Sequence, residues 1–142
     1  MTSTIDLTDN QIRAQGAKAI GRAIKSSVSL EDVSLRLNRL GDEGIRQLCV
    51  YSQVSTSLRT LNLSGNGITA AAISSIATFI RTAAALVAID LSSNKLGDDA
   101  GRILREAIDA APKLQRIDMR QTGVNDDLIV AIDSVLRERT GY

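Results

Sequence analysis

The sequence predicts an α/β solenoid: five strand–turn–helix repeats stacked side by side, their strands pairing in parallel. Three observations carry this. Asn10, Asn38, Asn66 and Asn94 stand 28 residues apart, and the same string surrounds each of them: Ile5-Asp6-Leu7, Val33-Ser34-Leu35, Leu61-Asn62-Leu63 and Ile89-Asp90-Leu91. A fifth copy, Ile117-Asp118-Met119, keeps the spacing but carries Thr122 in place of the asparagine. Within each unit the apolar period changes from two to that of a helix, and a fixed repeat of this length marks a solenoid.

Each element follows from its own residues. The strand alternates, as at Leu61 and Leu63 or Ile89 and Leu91. After the asparagine comes one more apolar residue, Ile12, Leu40, Ile68, Leu96 or Val124, and then a polar corner such as Gly41-Asp42-Glu43-Gly44 or Gly97-Asp98-Asp99. Helical spacing follows at Ile20 and Ile24, Ile76 and Ile80, and Leu104 and Ile108. Thr69 and Asn125 suit helix caps, because a short side-chain oxygen accepts a free backbone N–H there. The return ends in Leu30, Leu58, Leu86 and Leu114, and Pro112 sits in the last return loop, where a missing N–H costs little. Superposed units give core columns: Ile5, Val33, Leu61, Ile89 and Ile117 on the strands, and Ile20, Leu48, Ile76, Leu104 and Ile132 on the helices. A lone unit cannot bury both faces, so stability accumulates between neighbours at about 1.5–3 kcal/mol per large apolar side chain buried. The expected organisation is one domain, 1–142, with repeats at 2–29, 30–57, 58–85, 86–113 and 114–142.

The string L-x-x-L-x-L-x-x-N-x-L is met from Leu58 to Ile68 and from Leu86 to Leu96. It resembles the leucine-rich repeat pattern. The repeat length and the Gly-Asp corners are similar to the ribonuclease-inhibitor-like subclass. The resemblance spans essentially the whole chain and implies a short horseshoe segment, with a parallel sheet on the concave face and helices on the convex face. Thr2 in place of Leu and Thr122 in place of Asn depart from the pattern, as terminal units do. It also implies that the asparagine row is structural, since an amide has donors and an acceptor to satisfy a sharp turn.

Bulk composition narrows the function. Lys and Arg number 17 against 16 Asp and Glu, a net charge of +1, which gives no electrostatic case for nucleic acid or an anionic membrane. A single cysteine, Cys49, excludes an internal disulfide, and no apolar run approaches the ~20 residues of a membrane helix. The start carries no signal segment, so an intracellular protein is expected, cytoplasmic or cytoskeleton-associated. There is no His, no nucleophile–base pair and no phosphate loop, so no enzymatic activity and no cofactor are expected.

Candidate residues fall on the concave face. Asp6, Asp90 and Asp118 share a column with Ser34 and Asn62. As neighbours on adjacent strands, Asp90 and Asp118 suit either a metal or acid–base site, or solvated acids that face a partner; the second is preferred because no ligand cluster surrounds them. Arg36, Arg116 and Arg120 point the same way, and arginine is a favoured hot-spot residue. The candidate protein-binding set is therefore Arg36, Asp90, Arg116, Asp118 and Arg120. Cys49 aligns with Gly21 and Ala77 as a small buried residue, and Arg105 and Asp133, next in that column, are placed to pair across adjacent helices. Neither end carries an evident polar cap: the outer edge of the first strand, guarded by Asp6 and Asp9, and the apolar stripe Leu128, Ile129, Ile132, Val135 and Leu136 are open to self-association, to a partner, or to continuation of the chain beyond Tyr142.

The expected function is a non-enzymatic interaction module presenting a rigid concave surface to a protein partner whose identity the sequence does not disclose. One alternative is a scaffold part of a larger cytoskeletal, ciliary or centrosomal protein, by analogy of fold. The other is a regulator of a small GTPase, with Arg36 or Arg39 offered in trans.

Overall fold

The computed structural model describes residues 3–140. Strands β1 (Ser3–Asp6), β2 (Leu30–Ser34), β3 (Thr60–Asn62), β4 (Ala88–Asp90) and β5 (Arg116–Asp118) pair in chain order into one parallel sheet. Their register is that of the repeat: Ile5 lies beside Val33, Val33 beside Leu61, Leu61 beside Ile89 and Ile89 beside Ile117. Helices α1 (Ala14–Ser26), α2 (Gly41–Ser52), α3 (Ile73–Thr82), α4 (Asp98–Ala110) and α5 (Asp126–Thr140) cover the convex side. Between the layers Leu35, Leu63 and Leu91 meet Leu48, Ile76, Leu104 and Ile132, all fully buried. Ile5, Leu7 and Ile20 stay partly exposed, because among the described residues no repeat packs on their outer side.

The asparagine row holds these layers in register. Asn38, Asn66 and Asn94 are buried. The Asn94 amide donates to the carbonyls of Leu63, one repeat back, and Leu91, in its own repeat, at 3.1 and 3.0 Å. Its oxygen accepts the backbone N–H groups of Asn66 and Ile68 at 3.0 Å each. Asn66 spans Leu35 and Leu63 in the same way, and Asn38 spans Leu7 and Leu35, so neighbouring asparagines share one carbonyl. Thr122 reaches only the Met119 carbonyl of its own repeat. Asn10 is the exception: it belongs to the first repeat described, is exposed, and among the described residues its side-chain amide donates only to Thr8 O. The sharp turn puts the residue ahead of each Asn or Thr in the left-handed region, with φ of 59° at Asp9, 58° at Leu37, 65° at Gly65, 57° at Ser93 and 57° at Gln121. For Leu37 this costs about 1–2 kcal/mol, which the ladder overrides.

The corners are already helix. α2 begins at Gly41 and α4 at Asp98, so Asp42, Glu43, Asp98 and Asp99 occupy first turns, where carboxylates complement the positive end of the helix dipole. Two of these acids also clamp the next repeat. Asp42 accepts from Thr69 N and Thr69 Oγ1 at 2.7 and 2.6 Å, and Asp98 accepts from Asn125 N at 2.7 Å. Thr69 and Asn125 cap as their side chains predict, accepting from Ala71 N and Leu128 N. Thr69, however, opens a 3-10 turn, Ala70–Ala72, that leads into α3.

Two features depart from expectation. Arg105 pairs with Asp109 at 2.8 Å, one turn along its own helix, rather than with Asp133 across to α5; an i,i+4 partner is already in reach and needs no helix approach. Arg139 has a structural role that the repeat pattern does not predict. Its guanidinium donates to the carbonyls of Ile108, Ala111 and Leu114, closing the end of α4 and the following turn. Ser27 and Ser55 stabilise the same turn in the first two repeats by accepting from Leu30 N and Leu58 N.

Asn94→Ala is expected to lower unfolding stability by about 2–4 kcal/mol, because two buried N–H groups lose their acceptor. Asn10→Ala is expected to change it by less than about 0.5 kcal/mol, as a surface substitution does. Urea unfolding of the two variants side by side checks the contrast. Ser52, fully buried where the other repeats carry Ile or Leu, has a hydroxyl without a hydrogen-bond partner. Ser52→Ala removes that desolvated group, and calorimetry is expected to show a gain of about 1 kcal/mol.

Candidate interaction surface

Side chains that alternate away from the core form three columns on the concave face. The first is Thr4, Asp32, Thr60, Ala88 and Arg116; the second is Asp6, Ser34, Asn62, Asp90 and Asp118. The third follows the strands: Thr8, Arg36, Ser64, Ser92 and Arg120. Much of this surface bonds to itself. Thr60 Oγ1 donates to Asp32 at 2.6 Å, Ser92 Oγ donates to Ser64 Oγ at 2.9 Å, and the hydroxyls of Thr8 and Ser34 lie 3.0 Å apart.

The acidic column has a structural duty that sequence reasoning missed. Each member accepts the backbone N–H two residues on: Asp6 from Thr8 at 3.0 Å, Asn62 from Ser64 at 3.0 Å, Asp90 from Ser92 at 2.9 Å and Asp118 from Arg120 at 3.1 Å. Ser34 makes the same contact with Arg36 N at 3.5 Å. These are side-chain turns that end each strand. The interchange of Asp, Asn and Ser in one column is the signal that could have found them, since all three types supply the acceptor.

The five predicted residues do not form one cluster. Asp90, Arg116, Asp118 and Arg120 gather at the β4–β5 end and line a groove of ≈ 1160 Å³, whose other wall is Ile129, Asp133 and Leu136 of α5. Arg36 lies outside it, on the loop after β2. Arg120 grips Asp118 through Nε at 3.0 Å and Nη2 at 2.7 Å. That bond holds the Asp118 carboxyl below its ordinary range, and Asp90 adds to the field that raises Arg120. Arg116 is exposed, stands beside Ala88 in its column, and has no ion-pair partner among the described residues. No group of three or more His, Cys, Asp or Glu is placed to hold a metal among the described residues. Cys49 is buried, and burial pushes its thiol up to about 12. The aromatic ring of Tyr51 is on the convex side under Arg22, 5.3 Å from its centroid.

The lowered pKa of Asp118 fixes a pH dependence. Because the folded value lies below the unfolded one, Asp118 contributes stability above roughly pH 4 and loses it as pH falls through the folded value. Asp118→Asn keeps the turn, as Asn62 does in the same column, and removes the ion pair. Acid unfolding followed by circular dichroism is expected to show a shallower loss below pH ~4 for this variant, with near-native stability at pH 7 because an exposed pair contributes only ~0–1 kcal/mol.

Comparison with known proteins places the chain. The pattern described as Leucine Rich repeat matches residues 3–21, 26–49, 54–77 and 85–102. No curated protein sequence matches. Among solved structures, leiomodin-1 actin-binding site 2 superposes with a TM-score of 0.80 at 11% identity, covering 97% of this chain and 82% of that one. The tropomodulin C-terminal domain of Caenorhabditis elegans gives 0.77 at 18% identity, covering 99% and 87%. With that pattern matching over more than half its length and its asparagines stacked between parallel strands, the chain belongs to the leucine-rich repeat family.

Proposed function

We propose that this chain is a non-enzymatic protein-binding module of the cytoskeleton, working as a rigid surface within an actin-associated assembly. The contact surface in this reading is the β4–β5 quadrant of the concave face, with Arg116 and Arg120 as anchors and Asp90 and Asp118 setting the charge pattern. The observation that carries it is the concentration of exposed charge over a groove of ≈ 1160 Å³ on a sheet whose backbone is locked by the asparagine row. A preordered surface loses little entropy on binding. Arginine provides the hot-spot chemistry on a face without aromatics. Actin is the first partner to test because one structural neighbour is an actin-binding site.

The double variant Arg116→Glu/Arg120→Glu is expected to weaken capture by roughly tenfold or more, each arginine counting for more than about 1 kcal/mol as hot spots do. Co-sedimentation with filamentous actin and capture of monomeric actin measure it, with circular dichroism confirming the fold. Equal capture by variant and parent moves the surface away from β5; no capture by the parent removes actin as the partner.

A further inference from the structure

We propose that the open edge of β5 is a docking site for an extended peptide of a protein partner. The peptide would add as a sixth parallel strand and carry an acidic residue, then an aliphatic one, then a small uncharged polar one. This deepens the proposed function and rests on the same quadrant being the contact surface.

The hydrogen bonds just beyond the strands set the site. In each inner repeat two backbone N–H groups just beyond the strand point to the next repeat. Leu63 and Gly65 donate to Asp90 O and Ser92 O at 2.8 and 3.1 Å, and Leu91 and Ser93 donate to Asp118 O and Arg120 O at 2.8 and 3.0 Å. Met119 and Gln121 occupy those places after β5, beyond which no strand lies among the described residues. Met119 lines the groove whose far wall is Ile129 and Leu136 of α5, and Gln121 lies two residues beyond it along the same edge. A strand placed there gains backbone bonds on one side and an apolar wall on the other, the two components of strand addition.

The side chains already present select the sequence. Asp32 shows what an acid does in the first concave column: it accepts from Thr60 on the neighbouring strand at 2.6 Å and from Thr4 on the other side at 3.5 Å. Arg116 sits in that column at the edge without a carboxylate, so an acid on an added strand falls beside it. Opposite charges directly across neighbouring strands attract and like charges repel. The next peptide residue points inward, against Ile117, Ile129 and Leu136. The one after it lies beside Asp118, where another acid is repelled and Ser or Asn, as at Ser34 and Asn62, is suited. A second copy of this chain meets the rule badly, because its β1 would put Thr4 beside Arg116 and Asp6 beside Asp118.

The probe is a fluorescein-labelled peptide of sequence SLEDVSLS, with SLEKVSLS and SLEDPSLS as controls. Fluorescence anisotropy is expected to show the parent peptide binding at least ten times more tightly than either control. Arg116→Glu is expected to reverse the preference between SLEDVSLS and SLEKVSLS, and Ile129→Lys to abolish binding of both. Hydrogen exchange is expected to slow at the Met119 and Gln121 amides in the complex. Equal affinity for the three peptides, or unchanged exchange at those amides, overturns the proposal. The outcomes separate this proposal from the concave-face reading. Actin capture that Ile129→Lys leaves intact, without protection of the two amides, sinks the strand site alone. Protection by the peptide without actin capture sinks the actin reading alone.

Discussion

The buried amide at the end of each strand is the constraint on which the rest of the structure depends. A parallel sheet must return its chain after every strand, and a tight return strands backbone groups in a place water does not reach. An unpaired buried N–H or C=O costs about 1–3 kcal/mol, and every repeat generates several. Asn94 answers two donors with one oxygen and two carbonyls with one nitrogen. Because one carbonyl in each of those pairs belongs to the previous repeat, the solution for one turn is also the bond between turns. The apolar columns supply most of the burial, but they tolerate a slipped register far better than this polar joint does.

That joint decides what is left over for recognition. The left-handed residue ahead of each asparagine swings the chain off the strand, and the side-chain turn at Asp6, Ser34, Asn62, Asp90 and Asp118 catches it two residues on. One oxygen of each acid is thereby committed to the backbone. The concave carboxylates are turn formers first, and only their remaining valence faces outward. The arginines have no such duty. In the proposed contact Arg116, which has no ion-pair partner among the described residues, is therefore the less committed of the two arginines, since Arg120 is held on Asp118.

The period, the strands, the apolar columns and the two helix caps were legible in the sequence because each is a pattern of residue type at fixed spacing. The left-handed position was legible only at Gly65, since Asp9, Leu37, Ser93 and Gln121 adopt the same conformation under compulsion from the ladder. The acidic column was legible as a column, though its role in ending strands was not, because a side chain that bonds its own backbone leaves no trace in spacing between repeats. The expected Arg105–Asp133 bond failed for a related reason: alignment across repeats says which residues are neighbours, whereas Asp109 competes from within the helix and involves no motion of α5. The reach of Arg139 over a full repeat to three carbonyls had no sequence signature beyond its place in the column of Ser27 and Ser55. Of the five residues expected on the surface, four share the groove, and Arg36 does not because the groove reaches back only to β3 and Arg36 follows β2.

The two ends of the sheet differ in what their own side chains cover. Each edge of a parallel ladder carries both donors and acceptors: just beyond the strands the N–H groups point to the following repeat, and at the strand starts they point to the preceding one. At the first edge the chain answers its own acceptors: Asn10 donates to Thr8 O at 3.1 Å, and Thr8 Oγ1 covers the Asp6 carboxylate at 2.6 Å. At the last edge the side chain in the ladder position, Thr122, turns inward to Met119 O, and nothing from that turn folds back over the donors of Met119 and Gln121. Asn10 makes the bond to the carbonyl two residues back that Asn38, Asn66 and Asn94 also make, but lacks their reach to an earlier repeat, which Thr122 lacks as well. A ladder asparagine reaches back to the earlier repeat, as Asn94 does to Leu63 O, and not over the forward-facing N–H groups of its own repeat, so the β5 edge would stay uncovered with Asn or Thr at 122.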